Sequence, residues 1–154
     1  MTTLLLAESE FDQMVGEIWS SLFDPAPHQH HLTFVEGEFF AGYVDISGGW
    51  HGRVVVETTD DGAVAIASSM FDAEPATLGP ADLADAVGEL ANIVGGSVKS
   101  CIDGESRLSL PATERIEPVE VHHEGILVSS AVWCGHPLRV RVQPFDGAAE
   151  ESAA

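Results

Sequence analysis

Hydrophobic positions along the chain repeat first with the period of a helix and then with that of strands. Residues 7–23 carry apolar side chains at three- and four-residue spacing, which predicts a helix that ends at the prolines of Asp24-Pro25-Ala26-Pro27. Residues 39–47 and 52–58 are rich in Val, Phe and Tyr and predict two strands joined by a hairpin turn at Gly48-Gly49.

The rest of the chain predicts further helices and then further strands. Residues 63–71 fit either a helix or a strand, and their alanines favour the helix. A long helix over 79–97 begins near Pro80. Short strands follow at 107–110, 114–122, 125–133 and 138–143, with a predicted turn at Gly135-His136-Pro137. This order predicts an α+β fold, in which two long helices pack on one face of a mostly antiparallel sheet.

The helix over 79–97 has two distinct faces. Its apolar arc of about 120° is the predicted core side and contains Leu83, Ala86, Val87, Leu90, Val94, Ser97, Val98 and Cys101. The opposite arc of about 40° contains Asp85, Glu89, Asn92 and Gly96, and is called the ridge below. Gly88 and Gly95 flank the ridge.

Two interpretations of the ridge remain open from the pattern alone. Asp85 and Glu89 fit an ordinary solvated helix face, with Gly95-Gly96 ending the helix. Asn92 favours a functional interpretation, because asparagine is unfavourable inside a helix and the sequence shows no structural role for it there. Glycines inside a helix indicate close approach, either by another protein or by the chain's own sheet.

Composition and charge limit the classes of partner. With 154 residues we predict one domain over 1–145 and a disordered acidic tail over 146–154. The net charge is −19 and every Lys and Arg lies beyond residue 52, so we expect no nucleic acid and no membrane partner. A partner that offers lysine or arginine would be attracted. The absence of a signal peptide or an apolar span predicts a cytoplasmic protein with reduced, part-buried Cys101 and Cys134.

Other candidate sites are weaker. His28, His30 and His31 form the densest histidine cluster and, with Glu36 or Asp24, offer ligands for Zn²⁺ or Ni²⁺. Their spacing matches no closed metal site, so we interpret the segment as a polar loop and predict no metal. The chain has no Ser-His-acid arrangement and no phosphate-binding loop. Three tryptophans are interpreted as core or interface anchors, namely Trp19, Trp50 and Trp133.

The ridge and the sequence after it resemble the chemotaxis phosphatases CheC, CheX and FliY, and are most similar to CheX. The matching residues are Asp85-x-x-x-Glu89-x-x-Asn92, then Ile93-Val94-Gly95-Gly96, then Leu108-Ser109-Leu110-Pro111. The likeness spans about residues 10–145 and is most specific over 82–111. It implies an α+β fold, a helix that lies across a CheY-like receiver domain, and hydrolysis of that domain's phospho-aspartate. It also implies a homodimer and a single active motif.

This resemblance and the chemistry of the side chains suggest roles for the ridge. Asn92 is the expected water-positioning residue, Glu89 the expected ion-pair partner of a receiver lysine, and Asp85 a secondary contact. We expect Mg²⁺ on the receiver and no cofactor on this chain. The glycines expected beside the partner are Gly88, Gly95 and Gly96. The alternative is a non-catalytic receiver-binding or dimerisation module with the same fold.

Overall fold

The protein, seen in a computed structural model, consists of helices and one antiparallel sheet. The structure describes residue 4 and residues 6–29, 38–117 and 126–145. Within these residues the α-helices are α1 (Glu8–Leu22), α2 (Asp60–Phe71) and α3 (Pro80–Lys99), and a short 3₁₀ helix covers Pro75–Thr77. The strands are β1 (His28–Gln29), β2 (Phe39–Gly48), β3 (Gly52–Thr58), β4 (Ser106–Leu108), β5 (Ala112–Ile116), β6 (Leu127–Trp133) and β7 (His136–Pro144). The predicted α+β class is confirmed.

The sheet has the strand order β1-β6-β7-β3-β2-β4, and β5 also pairs with β2. Each of these pairings is antiparallel. β4 and β5 lie on the same edge of β2, because β4 pairs with residues 46–48 and β5 with residues 39–43. Residues 109–111 join these two short strands. The link between them therefore lies beside the middle of β2.

The three α-helices pack on one face of this sheet. The core contains Phe11 and Trp19 of α1, Ile66 of α2, and Leu90 and Val94 of α3. From the sheet it takes alternate residues, as expected when one face of each strand is buried: Val44, Ile46, Val54, Val56, Ala131, Trp133, Leu138, Val140 and Val142. Trp19 and Trp133 are core residues and Trp50 packs against the core, which agrees with the anchor interpretation.

Several predicted boundaries change in the structure. The last hairpin turns at Cys134-Gly135 rather than at Gly135-His136-Pro137, because Cys134 (φ 51°) and Gly135 (φ 82°) supply the two positive φ angles of a two-residue turn. Cys134 is therefore exposed rather than part-buried, whereas Cys101 is half-buried, and both are free. Residues 118–125 and the tail over 146–154 lie outside the described residues.

Candidate active site on helix α3

Helix α3 begins where the sequence predicts. The backbone N–H of Gly79, the residue before the helix, donates to Asp82 Oδ2 at 2.9 Å. Pro80 occupies the first turn, where its missing N–H costs no hydrogen bond. The helix then continues through Gly95 and Gly96 to Lys99, so this glycine pair does not end it.

Two glycines bring α3 close to β2. A Cβ atom on Gly42 of β2 would lie 2.7 Å from the backbone oxygen of Val87. A Cβ atom on Gly95 of α3 would lie 2.5 Å from Val44 Cγ2 and 3.2 Å from Leu108 Cδ2. Real Cβ atoms do not approach other atoms this closely, so the helix lies in this position only because both residues are glycine. The contact fixes which face of α3 points away from the sheet.

The face that points away is the predicted ridge. Asp85, Glu89 and Gly96 are exposed and Asn92 is half-buried. A Cβ atom on Gly96 would meet nothing within 4 Å. The side chains of Asp85, Glu89 and Asn92 form no hydrogen bond or ion pair with any residue that the structure describes. Glu89 and Asn92 stand about 4.5 Å apart along the helix axis, so one partner group can reach both.

The segment 109–111 forms a wall beside the ridge. Ser109 is held by the backbone of Asp45. The Asp45 N–H donates to Ser109 Oγ at 2.8 Å, and the Ser109 N–H donates to the backbone carbonyl oxygen of Asp45 at 2.8 Å. The carboxylate of Asp45 instead accepts two hydrogen bonds from Arg53, which raise the pKa of that arginine above its ordinary value. Leu110 is 88% exposed at the tip of the wall.

Pro111 connects this wall to the helix. A Cβ atom on Gly88 would lie 3.3 Å from Pro111 Cβ, and Gly88 is buried. Gly88 and Gly95 thus face the protein's own chain, and packing explains why neither carries a side chain. Of the three glycines expected beside a partner, Gly96 alone is exposed, and its contact with a partner stays a prediction.

Similarity to known proteins shows the family of this chain. The family model described as Chemotaxis phosphatase CheX matches residues 40–130, which include the ridge, its wall and the strands beneath them. The chain belongs to the CheX family. No curated protein sequence is significantly similar to it.

Solved structures of CheX proteins and of a FliY protein have the same fold as this chain. CheX from Vibrio vulnificus is 15% identical with a TM-score of 0.66, covering 89% of this chain and 97% of that one. CheX from Borrelia burgdorferi, in a complex with CheY, BeF₃ and Mg²⁺, is 13% identical with a TM-score of 0.65, covering 90% and 96%. FliY from Thermotoga maritima is 16% identical with a TM-score of 0.52, covering 97% and 96%.

The structure describes only part of the predicted histidine cluster of this CheX-family chain. Within the described ranges no three His, Cys, Asp or Glu side chains cluster so as to hold a metal ion. His28 is exposed on β1, whereas His30, His31 and Glu36 of the histidine cluster lie outside those ranges. None of the described helices is long and apolar enough to cross a membrane.

The ridge is visible in the sequence, whereas the contacts that support it are not. The close contact of Gly42 with α3 and the hydrogen bonds between Ser109 and Asp45 are not predictable from the sequence, since each joins residues that are distant in the chain. Gly42 does carry a local signal, because glycine within a strand often marks a place where another backbone comes close. The motif Leu108-Ser109-Leu110-Pro111 stands out by resemblance alone, and the structure supplies its physical role.

Proposed function

We propose that this protein hydrolyses the phospho-aspartate of a CheY-like receiver domain. One observation carries the proposal: Glu89 and Asn92 lie one turn apart on the outward face of α3 and have no partners among the described residues. Membership of the CheX family and the complex of a CheX relative with CheY support the same partner class. The chemistry follows from what these two side chains are able to do.

Asn92 is the proposed catalytic residue. Hydrolysis of an acyl phosphate needs a water molecule in line with the departing aspartyl oxygen, so catalysis is mainly positioning. The water oxygen forms a bond to phosphorus, the bond from phosphorus to the aspartyl oxygen breaks, and a water proton is released with the phosphate. A neutral carboxamide both accepts from and donates to this water without repelling the phosphoryl oxygens. A carboxylate at position 92 would repel them.

Glu89 is the proposed docking residue. Its negative charge makes it unsuitable beside a phosphoryl group and suitable beside a lysine of the receiver. An ion pair there would set the register of α3 and bring Asn92 over the phospho-aspartate. Asp85, one turn earlier, is exposed and offers a second acceptor to the same surface. The Mg²⁺ that receivers use to neutralise phosphoryl charge belongs to the partner in this mechanism.

A phosphate-release assay tests the activity. A receiver domain is charged with acetyl phosphate, and the release of inorganic phosphate is followed with and without this protein. Faster release in its presence is the expected result. Glu17→Ala serves as a matched control, because Glu17 is an exposed acid on α1 whose side chain forms no ion pair or hydrogen bond with the described residues. With the Glu17→Ala variant the receiver should release phosphate at the same rate as with the wild-type protein.

The alternative function is a receiver-binding module without catalysis. Under that alternative the charged receiver co-purifies with this protein but loses its phosphate no faster than it does alone. Binding of the receiver without faster release therefore contradicts the phosphatase proposal and supports the module. Formation of a homodimer stays a prediction that rests on the family resemblance.

A further inference from the structure

Basic residues are rare in this chain, and most of those present are already paired. The sequence has six Lys and Arg residues against 25 Asp and Glu residues. Ion pairs occupy four of the six: Arg53 with Asp45, Arg115 with Asp60, and Arg139 and Arg141 with Glu57. Lys99 and Arg107 have no ion pair or hydrogen bond of the side chain within the described residues. These two charges therefore have no counter-charge in the described part of the chain.

Lys99 and Arg107 line the same cleft. Its volume is about 700 Å³, which lies in the usual range for small-molecule sites. Lys99 is the last residue of α3, and Arg107 lies on β4 opposite Ser47 of β2. The other described residues of the lining are polar or glycine: Ser47, Gly48, Gly104, Glu105 and Ser106. Such a lining suits a charged ligand better than an apolar one.

Ser106 provides a second and independent observation. Its Oγ atom is buried and has no hydrogen-bond partner within the described part of the chain, although Ser106 belongs to the lining of the cleft. Buried hydroxyl groups in folded proteins nearly always have a partner, and an exception can mark a place where an ion or a ligand binds. An acceptor atom of a ligand, reached by rotation of the Ser106 side chain, would satisfy it.

We propose that this cleft binds a small phosphate-bearing anion, a phosphomonoester. A dianionic phosphate matches the two cations, and arginine and lysine are the side chains that most often bind phosphate in proteins. The volume of the cleft exceeds that of a phosphate group and leaves room for an organic substituent. Glu105 opposes any anion, so the local balance is one net positive charge and the affinity is moderate. The proposal does not depend on the phosphatase activity.

Calorimetric titration of the purified full chain tests the site, with inorganic phosphate, AMP and succinate as probes. We expect saturable binding of AMP and phosphate in the millimolar range, with AMP the tighter of the two. Lys99→Gln or Arg107→Gln should weaken the Kd for AMP about tenfold, since each removes one charge-assisted hydrogen bond. Glu105→Gln should tighten it, because the opposing charge is lost.

A matched control separates a local site from the overall charge of the protein. Arg115→Gln removes the same charge from an exposed pair with Asp60 outside the cleft and should leave the Kd unchanged. Equal weakening in this control would overturn the proposal, as would the absence of saturable phosphate and AMP binding. Succinate binding as tightly as AMP would overturn the preference for phosphate. Unfolding curves of the variants confirm that each is folded.

Discussion

Gly95 and Gly96 are neighbours in α3 but stand in opposite environments. Gly95→Ala should destabilise the protein by about 1–3 kcal/mol, because the new methyl group would overlap the buried side chain of Val44. Gly96→Ala should stabilise it by about 0.5–1 kcal/mol, since the position is open and alanine favours a helix interior. Urea unfolding of the two variants measures both values. Equal effects would contradict this orientation of α3.

Cys134 is a non-glycine residue at a positive φ angle of 51°. Asparagine adopts this conformation more readily than cysteine, so Cys134→Asn should stabilise the protein by about 0.5–1 kcal/mol. Cys134→Ala is the matched control, because it removes the thiol but keeps the unfavourable φ angle. Thermal unfolding under reducing conditions compares the two. Equal stabilisation by alanine would show that the thiol, and not the backbone, is responsible.

Single residues were predictable from the sequence where local periodicity decides their place. The helical wheel placed Asp85, Glu89 and Asn92 away from the core, and the structure agrees. It could not place Gly95 against Val44, because these residues are distant in the chain and a wheel contains no information about the opposing surface. The same limit explains why the sequence leaves open whether Gly88 and Gly95 approach a partner or the protein's own chain.

At the scale of elements, the wall formed by residues 109–111 offers an apolar contact next to an acidic helix. Leu110 is 88% exposed, so it contributes little to folding. Leu110→Ser should leave the free energy of unfolding within about 0.5 kcal/mol of the wild type but weaken receiver binding severalfold. Binding is measured with a receiver carrying a phosphoryl mimic. Unchanged affinity would show that Leu110 does not contact the receiver.

Strands β3 and β7 are tied by a buried charge cluster. Glu57 is fully buried, and its Oε1 accepts from Arg139 Nε at 2.5 Å and from Arg141 Nε at 3.1 Å. Glu57→Gln should destabilise the protein by about 3–5 kcal/mol, because the buried Arg139 and the half-buried Arg141 lose their counter-charge. Asp60→Asn breaks the exposed pair with Arg115 and should cost less than about 1 kcal/mol. Urea unfolding that ranks the two variants in the reverse order would contradict this account.

Whole elements were easier to predict than their junctions. The strands β2 and β3 and the helix α1 match the predicted ranges within about two residues, because Val, Phe and Tyr mark the strands and prolines end the helix. The turn between the strands covers 49–51 rather than Gly48-Gly49, since Gly48 is the last residue of β2. The last turn was misplaced because glycine, histidine and proline together indicate a turn, whereas the positive φ of Cys134 carries no sequence signal. The split of one sheet edge into β4 and β5 depends on Ser109 bonding to Asp45, a long-range contact.

At the scale of the whole molecule, the charge of −19 has to be reconciled with a phosphorylated partner. Most acids of the chain would repel such a partner, so docking requires that the meeting surfaces be locally complementary. The ridge meets this requirement in the proposed complex, where Glu89 faces a lysine and the neutral Asn92 faces the phosphoryl group. Composition alone predicts that nucleic acid and membranes are not partners. The expectation of a receiver-domain partner comes from the motif on α3 and its resemblance to the chemotaxis phosphatases.

The division of labour between Asn92 and Glu89 is the central claim, and one kinetic comparison tests it. The rate of loss of the phosphoryl group from a charged receiver is measured at increasing concentrations of wild-type protein, Asn92→Ala and Glu89→Ala. We predict that Asn92→Ala lowers the rate at saturation by about 10²-fold or more with little change in the concentration required, and that Glu89→Ala mainly raises that concentration. A wild-type rate at saturation for Asn92→Ala would contradict the mechanism.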